Sequence, residues 1–455
     1  MTRKFKTADY EATLNLTIRL EDALPPSHLA RFMVDVVAQL DLSKIYARYG
    51  QRGGEPIAPQ ILLGLLFYGY ATGVFSSRKI EKATYESVPF RFLAGDLHPD
   101  HDTIANFRKT FLPELKDLFV QILLLAQTAG VLKLGNLSLD GTKIHADASK
   151  SKAVSYKRLL ELERQLKTEV DELFALSEQA EQVEQIEARL GLAVPDEIAL
   201  RQERLAQLTK AKAVLEARAQ ARDEAEQADY QAKIQAREEK ARQTKRPPRG
   251  PAPKPPTPGP KAKDQYNFTD PDSRIMKNST NAGFDQHYNA QAAVTQDNML
   301  IVAHSLSNHP NDKQEALPTL DALSPQLSQP EAVALDNGFF SERNIAAIEA
   351  RGIEAYIATG REPHHQSWRT LIAEQPAPPP DDASAKIKMA FKLQTEIGQI
   401  IYGLRKGTVE PVIGIIKEIL GFRQFSLRGL AAAAGEWCLV CLAFNLKRLH
   451  ILQTS

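Results

Sequence analysis

The chain has 455 residues, and at roughly 150 residues per domain this length indicates about three domains rather than one. Its composition, 43% hydrophobic and 25% charged, is that of a globular protein and excludes a disordered or collagen-like chain. The two cysteines cannot build a disulfide framework, which favours a reducing compartment. Because we find no signal peptide and no stretch approaching the ~20 apolar residues that span a bilayer, we expect a cytoplasmic protein.

The formal charge is only +1, but the basic residues are unevenly distributed. Residues 386–450 contain ten basic and four acidic side chains, a net charge of +6. A segment of this kind can lie along a phosphate backbone and release counterions. A solvated basic face is an equally common explanation.

Residues 1–130 are predicted to form a helical N-terminal domain. The apolar run 61–73 predicts a buried helix that ends at Gly73, and 76–86 predicts a second helix after serines that can cap it. Residues 98–111 predict a third helix, capped by Asp102 or Thr103.

Short helices joined by a tight connection are also what a helix-turn-helix DNA reader needs. This reading would place four polar residues of the segment 98–111 near a groove: Thr103, Asn106, Arg108 and Lys109. The local charge does not favour it, because residues 78–109 carry six basic and five acidic side chains.

A sheet is predicted to begin at residue 131, since 136–149 has the two-residue period of a strand, an Asp-Gly turn and a second strand. Residues 150–244 interrupt it with helix-forming sequence. Heptad spacing of apolar residues there predicts an antiparallel hairpin, either a spacer arm or a partner-binding coiled coil. The heptad positions are Leu159, Leu162, Leu166, Leu173 and Leu176, then Ile198, Leu205, Leu208 and Leu215.

Residues 245–265 form a basic, proline-rich linker, with eight prolines between Pro247 and Pro260. A proline-rich ligand for a partner's groove is the less favoured reading. The remaining residues, 266–455, return to the sheet and continue into helices, so we expect an α/β layered domain. It comprises strands joined at 296–298 within 287–307, a helix at 311–323 capped by Asn311 or Asp312, a strand at 332–336, a helix at 341–352 capped by Ser341, and a strand at 354–360.

Three acidic residues stand at the ends of predicted elements. Asp140 and Asp336 each end a strand before a turn, and Glu410 opens a helix with Pro411 in its first turn. Such positions can face a crevice above a sheet, although an Asp at a strand end is more often a turn residue. Converging carboxylates would suit Mg²⁺, and a metal pair can activate an attacking oxygen in phosphodiester chemistry.

Basic and aromatic residues surround the third acid in the pattern Y-x2-R-x4-E-x6-K. These are Tyr402, Arg405, Glu410 and Lys417. Because seven residues make two helical turns, Glu410 and Lys417 would share a face, where a cation could hold phosphate beside a metal ligand.

Several motifs in one order resemble the DDE transposases of bacterial insertion sequences. The more specific resemblance is to the subgroup with a helical N-terminal domain and a long insertion in a ribonuclease H-like catalytic domain. The motifs are DGT at 140–142, DPDSR at 270–274, YNAQAAV at 288–294, LDNGFFSERNI at 335–345, VEPVIGIIK at 409–417, and GFRQFSLRG followed by EWCLVCLAFNLKRL.

The resemblance implies an α/β (α+β) fold and an enzyme that cuts and joins DNA with Mg²⁺ or Mn²⁺, as two ions. It assigns Asp140, Asp336 and Glu410 as catalytic acids and metal ligands. It also assigns Tyr402, Arg405 and Lys417 as the supporting signature. Four residues separate Arg405 from Glu410 where the family pattern has three, so Lys406 is a second candidate for the phosphate contact. Asp147 is a lower-ranked alternative for the first acid.

The implied partners are double-stranded DNA, namely the terminal inverted repeats of the element and the target, and a second copy of the chain. Such a protein would be cytoplasmic and associated with the nucleoid. An inactive, transposase-derived DNA-binding protein is the main alternative, and a nuclease without preference for terminal repeats is another. Other features favour structural roles: Cys438 and Cys441 packing on an apolar helix, His364-His365 in a polar loop, and Trp437 and Phe444 in a core.

Overall fold

The computed structural model describes residues 19–20, 22–50, 55–177, 193–244, 250–278, 283–360 and 377–454. It is 57% helical and contains a sheet of parallel and antiparallel strands, so the predicted mixed α/β class is confirmed. The chain divides into two compact units: residues 1–145 with 288–455, and residues 146–287. The predicted N-terminal helices and most of the sheet fall in the first unit.

Helices fill the N-terminal part of the first unit. They are α1 (Leu29–Gln39), α2 (Ser43–Tyr46), α3 (Pro59–Ala71), α4 (Ser77–Glu86), α5 (Val88–Ala94), α6 (His101–Thr110) and α7 (Leu115–Thr128). Almost every side chain of α3 is buried, and the chain leaves this helix through Gly73 at a φ of 82°. The predicted cap of α6 is wrong by two or three residues, because Asp100 accepts the backbone N–H of Thr103.

The sheet of the first unit has the strand order β6-β5-β1-β7-β8. Its strands are β1 (Asn136–His145), β5 (Phe284–Thr295), β6 (Ile301–Ser307), β7 (Ala332–Leu335) and β8 (Glu354–Ile357). Strands β1, β7 and β8 run parallel, and β5 pairs antiparallel with β6. The Gln296 N–H donates to the carbonyl of Asn136, so β5 ends where β1 begins. This order and these directions are the ribonuclease H-like arrangement that the resemblance implied.

The predicted turn at Asp140-Gly141 is wrong, because both residues lie within the continuous strand β1. Gly141 is needed there for packing rather than for a turn. A Cβ at this position would overlap the side-chain amide of Gln291. A glycine inside a strand commonly marks such a close approach.

The elements after β6 follow the prediction in part. Helix α10 (Ala316–Asp321) is shorter than the predicted 311–323, and Asp312 does not cap it. Helix α11 (Glu342–Glu349) begins as predicted, because the side chain of Ser341 accepts the N–H of Asn344. Strand β7 is completely buried, as its apolar sequence indicated.

The C-terminal part consists of α12 (Ala385–Gln394), α13 (Glu396–Gly414), a π-helical turn (Ile415–Ile419) and α14 (Leu430–Thr454). Glu410 and Pro411 therefore lie inside α13 instead of at a helix start, and that prediction is wrong. The glycines and the proline of this segment conceal its helical period. Burial of one face against β1 and β7 holds the helix together despite the backbone hydrogen bond that Pro411 cannot donate.

Helix α14 is long and apolar enough to cross a membrane, contrary to the expectation from the sequence. Two-thirds of its most apolar window is buried in the protein (67%), where it packs against α3, α7 and β6. Trp437 and Phe444 lie in this core, as predicted. Such burial is what the central helix of a folded domain shows.

In the second unit, α8 (Tyr156–Ser177) and α9 (Val194–Thr244) form the predicted antiparallel hairpin. The direction follows from two ion pairs, Glu163 with Lys212 and Glu169 with Arg201, each 3.0 Å long. Its core contains Leu159, Leu166, Leu208, Ala211 and Leu215. Short strands complete the unit: β2 (Ala153–Ser155) pairs with β3 (Gln265–Asn267), and β4 (Arg274–Lys277) pairs with the first residues of β5.

Candidate active site

Hydrogen bonds of hydroxyl and amide groups fix helix α13 against β1 close to the candidate acids. Thr408 and Ser138 share a hydrogen bond of 2.9 Å between their hydroxyl oxygens. The side-chain amide of Gln296 donates both to Ser138 Oγ and to the carbonyl of Ile401. All four residues are buried. These contacts set the register of the helix against the strand and so determine which side chain faces Asp140.

That side chain is Arg405. Its Nη1 donates to Oδ2 of Asp140 at 2.8 Å, and its Nη2 donates to Oε1 of Glu410 at 3.0 Å. The side chain of Arg405 is 8% exposed, while that of Glu410 is 48% exposed. One buried cation therefore joins the first and third predicted acids, which are 270 positions apart in the sequence.

Asp336, the second predicted acid, follows the parallel neighbour of β1. It caps a short 3₁₀ turn, where its Oδ1 accepts the N–H of Gly338 at 2.8 Å. Parallel strands bring their carboxyl ends to one edge of a sheet, so Asp336 lies near Asp140. The sequence prediction that these two acids converge agrees with this geometry.

The electrostatics of the two aspartates reflect that proximity. Burial raises the pKa of Asp140 from 3.8 to about 6, and the negative charges of Asp336 and Asp312 add to the rise while Arg405 opposes it. Burial also raises the pKa of Asp336, and Asp312 acts in the same direction. The site therefore disfavours additional negative charge and would gain from a bound cation.

Asp312 is the part of this site that the sequence prediction missed. Its Oδ1 accepts hydrogen bonds from the side-chain amides of Asn289 at 2.7 Å and Gln291 at 2.9 Å. Both amide residues lie on β5 and have no exposed surface. A signal was present in the sequence, since Asn289 and Gln291, two positions apart, interrupt the apolar run of residues 288–294.

The other predicted signature residues lie on the same helix or just beyond it. The Arg405 guanidinium lies 5.8 Å from the ring centre of Tyr402, a cation–π contact, whereas Lys406 is exposed. Lys417 lies on the π-helical turn, where its Nζ donates to Oγ1 of Thr142 at 3.1 Å. Burial lowers the pKa of Lys417. Among the two candidates for the basic signature position, the geometry favours Arg405.

The N-terminal candidates lie apart from these acids, on α6. Asn106 and Lys109 are exposed. Arg108 is 7% exposed and donates to the hydroxyl of Tyr70 and the carbonyl of Phe75. A DNA contact through Arg108 does not fit this arrangement, because its guanidinium is occupied inside the protein.

The donor set fits a hard divalent cation. Carboxylate oxygens are the ligands that Mg²⁺ prefers, and one or two carboxylates hold it while water and phosphate complete the octahedron. Within the described residues, no three His, Cys, Asp or Glu side chains are close enough together to hold a metal ion. Each cation would therefore be held by at most two of the carboxylates of Asp140, Asp336 and Glu410. The cysteines of α14 are buried, and burial raises the pKa of Cys438 to about 12. His364 and His365 lie outside the described residues.

Comparisons with known families support the class that this site indicates. The model of a transposase domain, DUF772, matches residues 18–110, and the model of a transposase DDE domain matches residues 379–450. No curated protein and no solved structure matches the chain. The resemblance to DDE transposases of insertion sequences is thus supported by two separate matches.

The matches cover the two ends of the chain. The C-terminal match includes Arg405, Glu410 and Lys417, while Asp140 and Asp336 lie between the two matched segments. A transposase of this family acts on DNA, and the family generally uses a divalent metal.

Proposed function

We propose that this chain is a DNA transposase that cleaves the phosphodiester bond at each end of its insertion sequence and joins the freed 3′-hydroxyl to target DNA. One observation carries the proposal: Arg405 joins the carboxylates of Asp140 and Glu410 beside Asp336. Acids so far apart in the sequence converge because strand order and helix docking bring them to one edge of the sheet.

Asp140, Asp336 and Glu410 would hold Mg²⁺ or Mn²⁺, as two ions. When bound, the metal supplies an activated oxygen nucleophile and stabilises the leaving oxygen. The protein's own contribution is to fix these carboxylates on β1, β7 and α13. Glu410, the most exposed of the three, can move toward an incoming DNA strand without disturbing the core.

The basic groups of the site orient phosphate. Arg405 is buried with its guanidinium bonded to Asp140 and Glu410, so it would hold these carboxylates in position for the metal and the phosphate, and Tyr402 supports its face. Lys406 and Lys417 add positive charge on either side of Glu410 along the chain. In the N-terminal domain, Asn106 and Lys109 are the exposed candidates for DNA contact.

Both ends of an element must be held together, so we propose that the chain works as a homodimer on DNA. Its ligands are the terminal inverted repeats and the target duplex, and its location is the cytoplasm, at the nucleoid. Light scattering of the complex with paired ends tests the stoichiometry. A single protein copy holding two ends would refute the dimer.

The decisive experiment uses an end-labelled duplex with the terminal repeats of its own element, in Mg²⁺ or in EDTA. We expect metal-dependent cuts at the repeat boundary that disappear in Asp336→Ala. The matched control is Glu418→Ala, since Glu418 is an exposed acid near the site that pairs with Arg423. Equal cleavage by Asp336→Ala and wild type would overturn the assignment. Tight binding without any cutting would favour the inactive DNA-binding alternative.

A further inference from the structure

Three polar side chains are buried between β1, α13 and the turn after β5, a place where apolar side chains are the ordinary choice. Ser138 has no exposed surface, Thr408 is 2% exposed and Gln296 is 7% exposed. Hydroxyl and amide groups lose free energy when they leave water, and hydrogen bonds inside the protein return little more than that loss. Stability alone is therefore no reason to place three polar side chains here.

Their hydrogen bonds form one chain with a fixed direction. A carbonyl oxygen only accepts, so the nitrogen of the Gln296 amide donates to the carbonyl of Ile401 at 2.8 Å and to Oγ of Ser138 at 3.0 Å. The Thr408 hydroxyl donates to the carbonyl of Leu404 at 2.7 Å, so the Ser138 hydroxyl is the donor in the 2.9 Å bond between the two hydroxyls. The chain thus begins on the β5–β6 turn, passes through β1 and ends on α13.

This chain of hydrogen bonds holds the turn of α13 that carries Arg405. The two accepting carbonyls, of Ile401 and Leu404, precede Arg405, and the last hydroxyl, of Thr408, follows it. Nε of Arg405 is buried without a hydrogen-bond partner among the described residues, so the guanidinium reaches its two carboxylates from the position that the helix backbone gives it. A slip of one residue along the helix would turn this side chain by about 100°.

One atom indicates that the network serves position more than stability. Oε1 of Gln296 is buried and has no hydrogen-bond partner in the part of the chain that the structure describes. An unsatisfied buried oxygen destabilises a fold. A methionine would avoid that loss at similar size, but it could not donate to the carbonyl of Ile401.

We infer that Ser138, Thr408 and Gln296 are positioning residues for DNA cleavage, because they fix the register of α13 and so the place of Arg405. They act through Arg405 and not by contact with DNA, since all three are buried between the helix and the sheet. A displacement of about 1 Å in the groups of an active site can lower a rate 100-fold. The inference rests on the proposed function, since it requires that cleavage depends on the carboxylates that Arg405 contacts.

The test compares full-length variants in the cleavage of the terminal-repeat duplex with Mg²⁺. Thr408→Val replaces the hydroxyl by a methyl group and should lower kcat at least about tenfold, with an unchanged KM for the duplex. Thr408→Ser restores a hydroxyl and should keep kcat within about twofold of wild type. If circular dichroism shows that Thr408→Val does not fold, Ser138→Ala takes its place and should show the same loss.

The matched control is a second hydroxyl pair of the same kind, between α10 and β6. Thr319 donates to the carbonyl of Glu315, four residues earlier, at 2.7 Å, and shares a hydrogen bond of 2.8 Å with the Ser305 hydroxyl. Thr319 has no exposed surface. Thr319→Val should therefore lower the urea midpoint of unfolding by an amount similar to that in Thr408→Val, while kcat stays at the wild-type value.

A double-mutant cycle shows whether the effect passes through Arg405. In an Arg405→Gln background, adding Thr408→Val should lower kcat by less than about twofold, because the group that Thr408 positions is gone. An equal loss in both backgrounds, an unchanged kcat in Thr408→Val, or an equal loss of kcat in Thr319→Val would overturn the inference and leave the proposed function standing. A wild-type protein that does not cut the duplex in Mg²⁺ would overturn both.

Discussion

Two buried ionic clusters in the first unit differ in how their charges are compensated. At the candidate active site, one cation, Arg405, contacts the carboxylates of Asp140 and Glu410, while Asp336 and Asp312 add further negative charge nearby. The second cluster joins the N-terminal helices to α14. There a single carboxylate, Glu436, has both oxygens hydrogen-bonded and an arginine 4.0 Å away.

The second cluster is a structural anchor. Glu436 has no exposed surface and accepts hydrogen bonds from the Tyr70 hydroxyl, from the Ser426 side chain and from the N–H groups of Ser426 and Leu427. Arg108 donates to the same Tyr70 hydroxyl at 2.8 Å. Burial raises the pKa of Tyr70 well above its usual value, so this hydroxyl remains a donor at any ordinary pH.

This difference between the two clusters distinguishes a buried charge with a structural role from one with a functional role. A buried charge is tolerated when its hydrogen bonds are complete, as for Glu436. An excess of carboxylates, as around Asp140, costs stability and is retained where a ligand compensates for it. Variants of Glu436 and Asp140 test this distinction.

The largest expected effect is on stability, at the structural cluster. Glu436→Ala leaves Arg108 buried without its carboxylate and removes acceptors from Tyr70 and Ser426. Removing one partner of a buried pair costs about 3–5 kcal/mol, so we expect a loss of that size in the free energy of unfolding. Urea denaturation followed by circular dichroism measures it.

The matched variant at the active site is Asp140→Asn. Because burial raises the pKa of Asp140 to about 6, the charged form is disfavoured in the fold, and the neutral amide should cost little or stabilise. A loss in Asp140→Asn as large as that in Glu436→Ala would remove the distinction between the two clusters.

The next largest effect is expected on DNA cleavage when Arg405, the cation between Asp140 and Glu410, is replaced. Arg405→Gln removes the group that joins Asp140 to Glu410, so cleavage should fall about 100-fold, the size expected for loss of one charged stabilising group. Lys406→Gln, the adjacent exposed cation, is the control and should lose less than about tenfold. Steady-state cleavage of the terminal-repeat duplex compares them. If Lys406→Gln were the more damaging variant, Lys406 would hold the signature role.

A smaller effect is expected from pH. Asp140 must be ionised to bind a cation, and its pKa of about 6 means that protons compete below that pH. At limiting Mg²⁺ we expect cleavage to fall about tenfold for each pH unit below 6. The same rise in pKa makes folding stability depend on pH in the opposite direction to cleavage. Asp140 contributes stability to the fold below pH 3.8, and this contribution is lost as the pH rises through about 6.

The measurement is a pH–rate profile at two Mg²⁺ concentrations. Saturating Mg²⁺ should move the acidic limb to lower pH, because metal and proton compete for one carboxylate. An acidic limb that does not respond to Mg²⁺ would show that another group, rather than Asp140, limits the rate.

Much of this molecule could be predicted from its sequence, because local patterns have local causes. The heptads of the hairpin, the buried strand β7 and the Ser341 cap all follow from spacing and capping. The predicted Asp140-Gly141 turn failed because Gly141 is required by a tertiary contact with Gln291, which no local pattern reveals. The start of helix α13 was placed too late for a similar reason: the helical state of residues 396–409 depends on packing against the sheet.

Prediction of the candidate active site from sequence has the same limit, because tertiary contacts are not visible in local patterns. Asp140, Asp336 and Glu410 were selected by their places at predicted element ends and by the resemblance. Asp312 looked like an ordinary helix cap, since its meaning depends on amides that lie more than 20 positions earlier in the chain. Arg108 looked like a DNA contact because its partners Tyr70 and Phe75 are distant in sequence.

The smallest effect is expected at the exposed face of α6. Lys109 is exposed, and Lys109→Gln should weaken binding of the terminal-repeat duplex a few-fold and lower the slope of log affinity against log salt by about one, the loss of one phosphate contact. Lys133→Gln, at an exposed loop position, is the control and should leave the slope unchanged. Fluorescence anisotropy across a salt series measures both. Equal slopes for wild type and Lys109→Gln would mean that α6 does not lie along the DNA, and the basic segment 386–450 would then be the first place to look for the phosphate contacts.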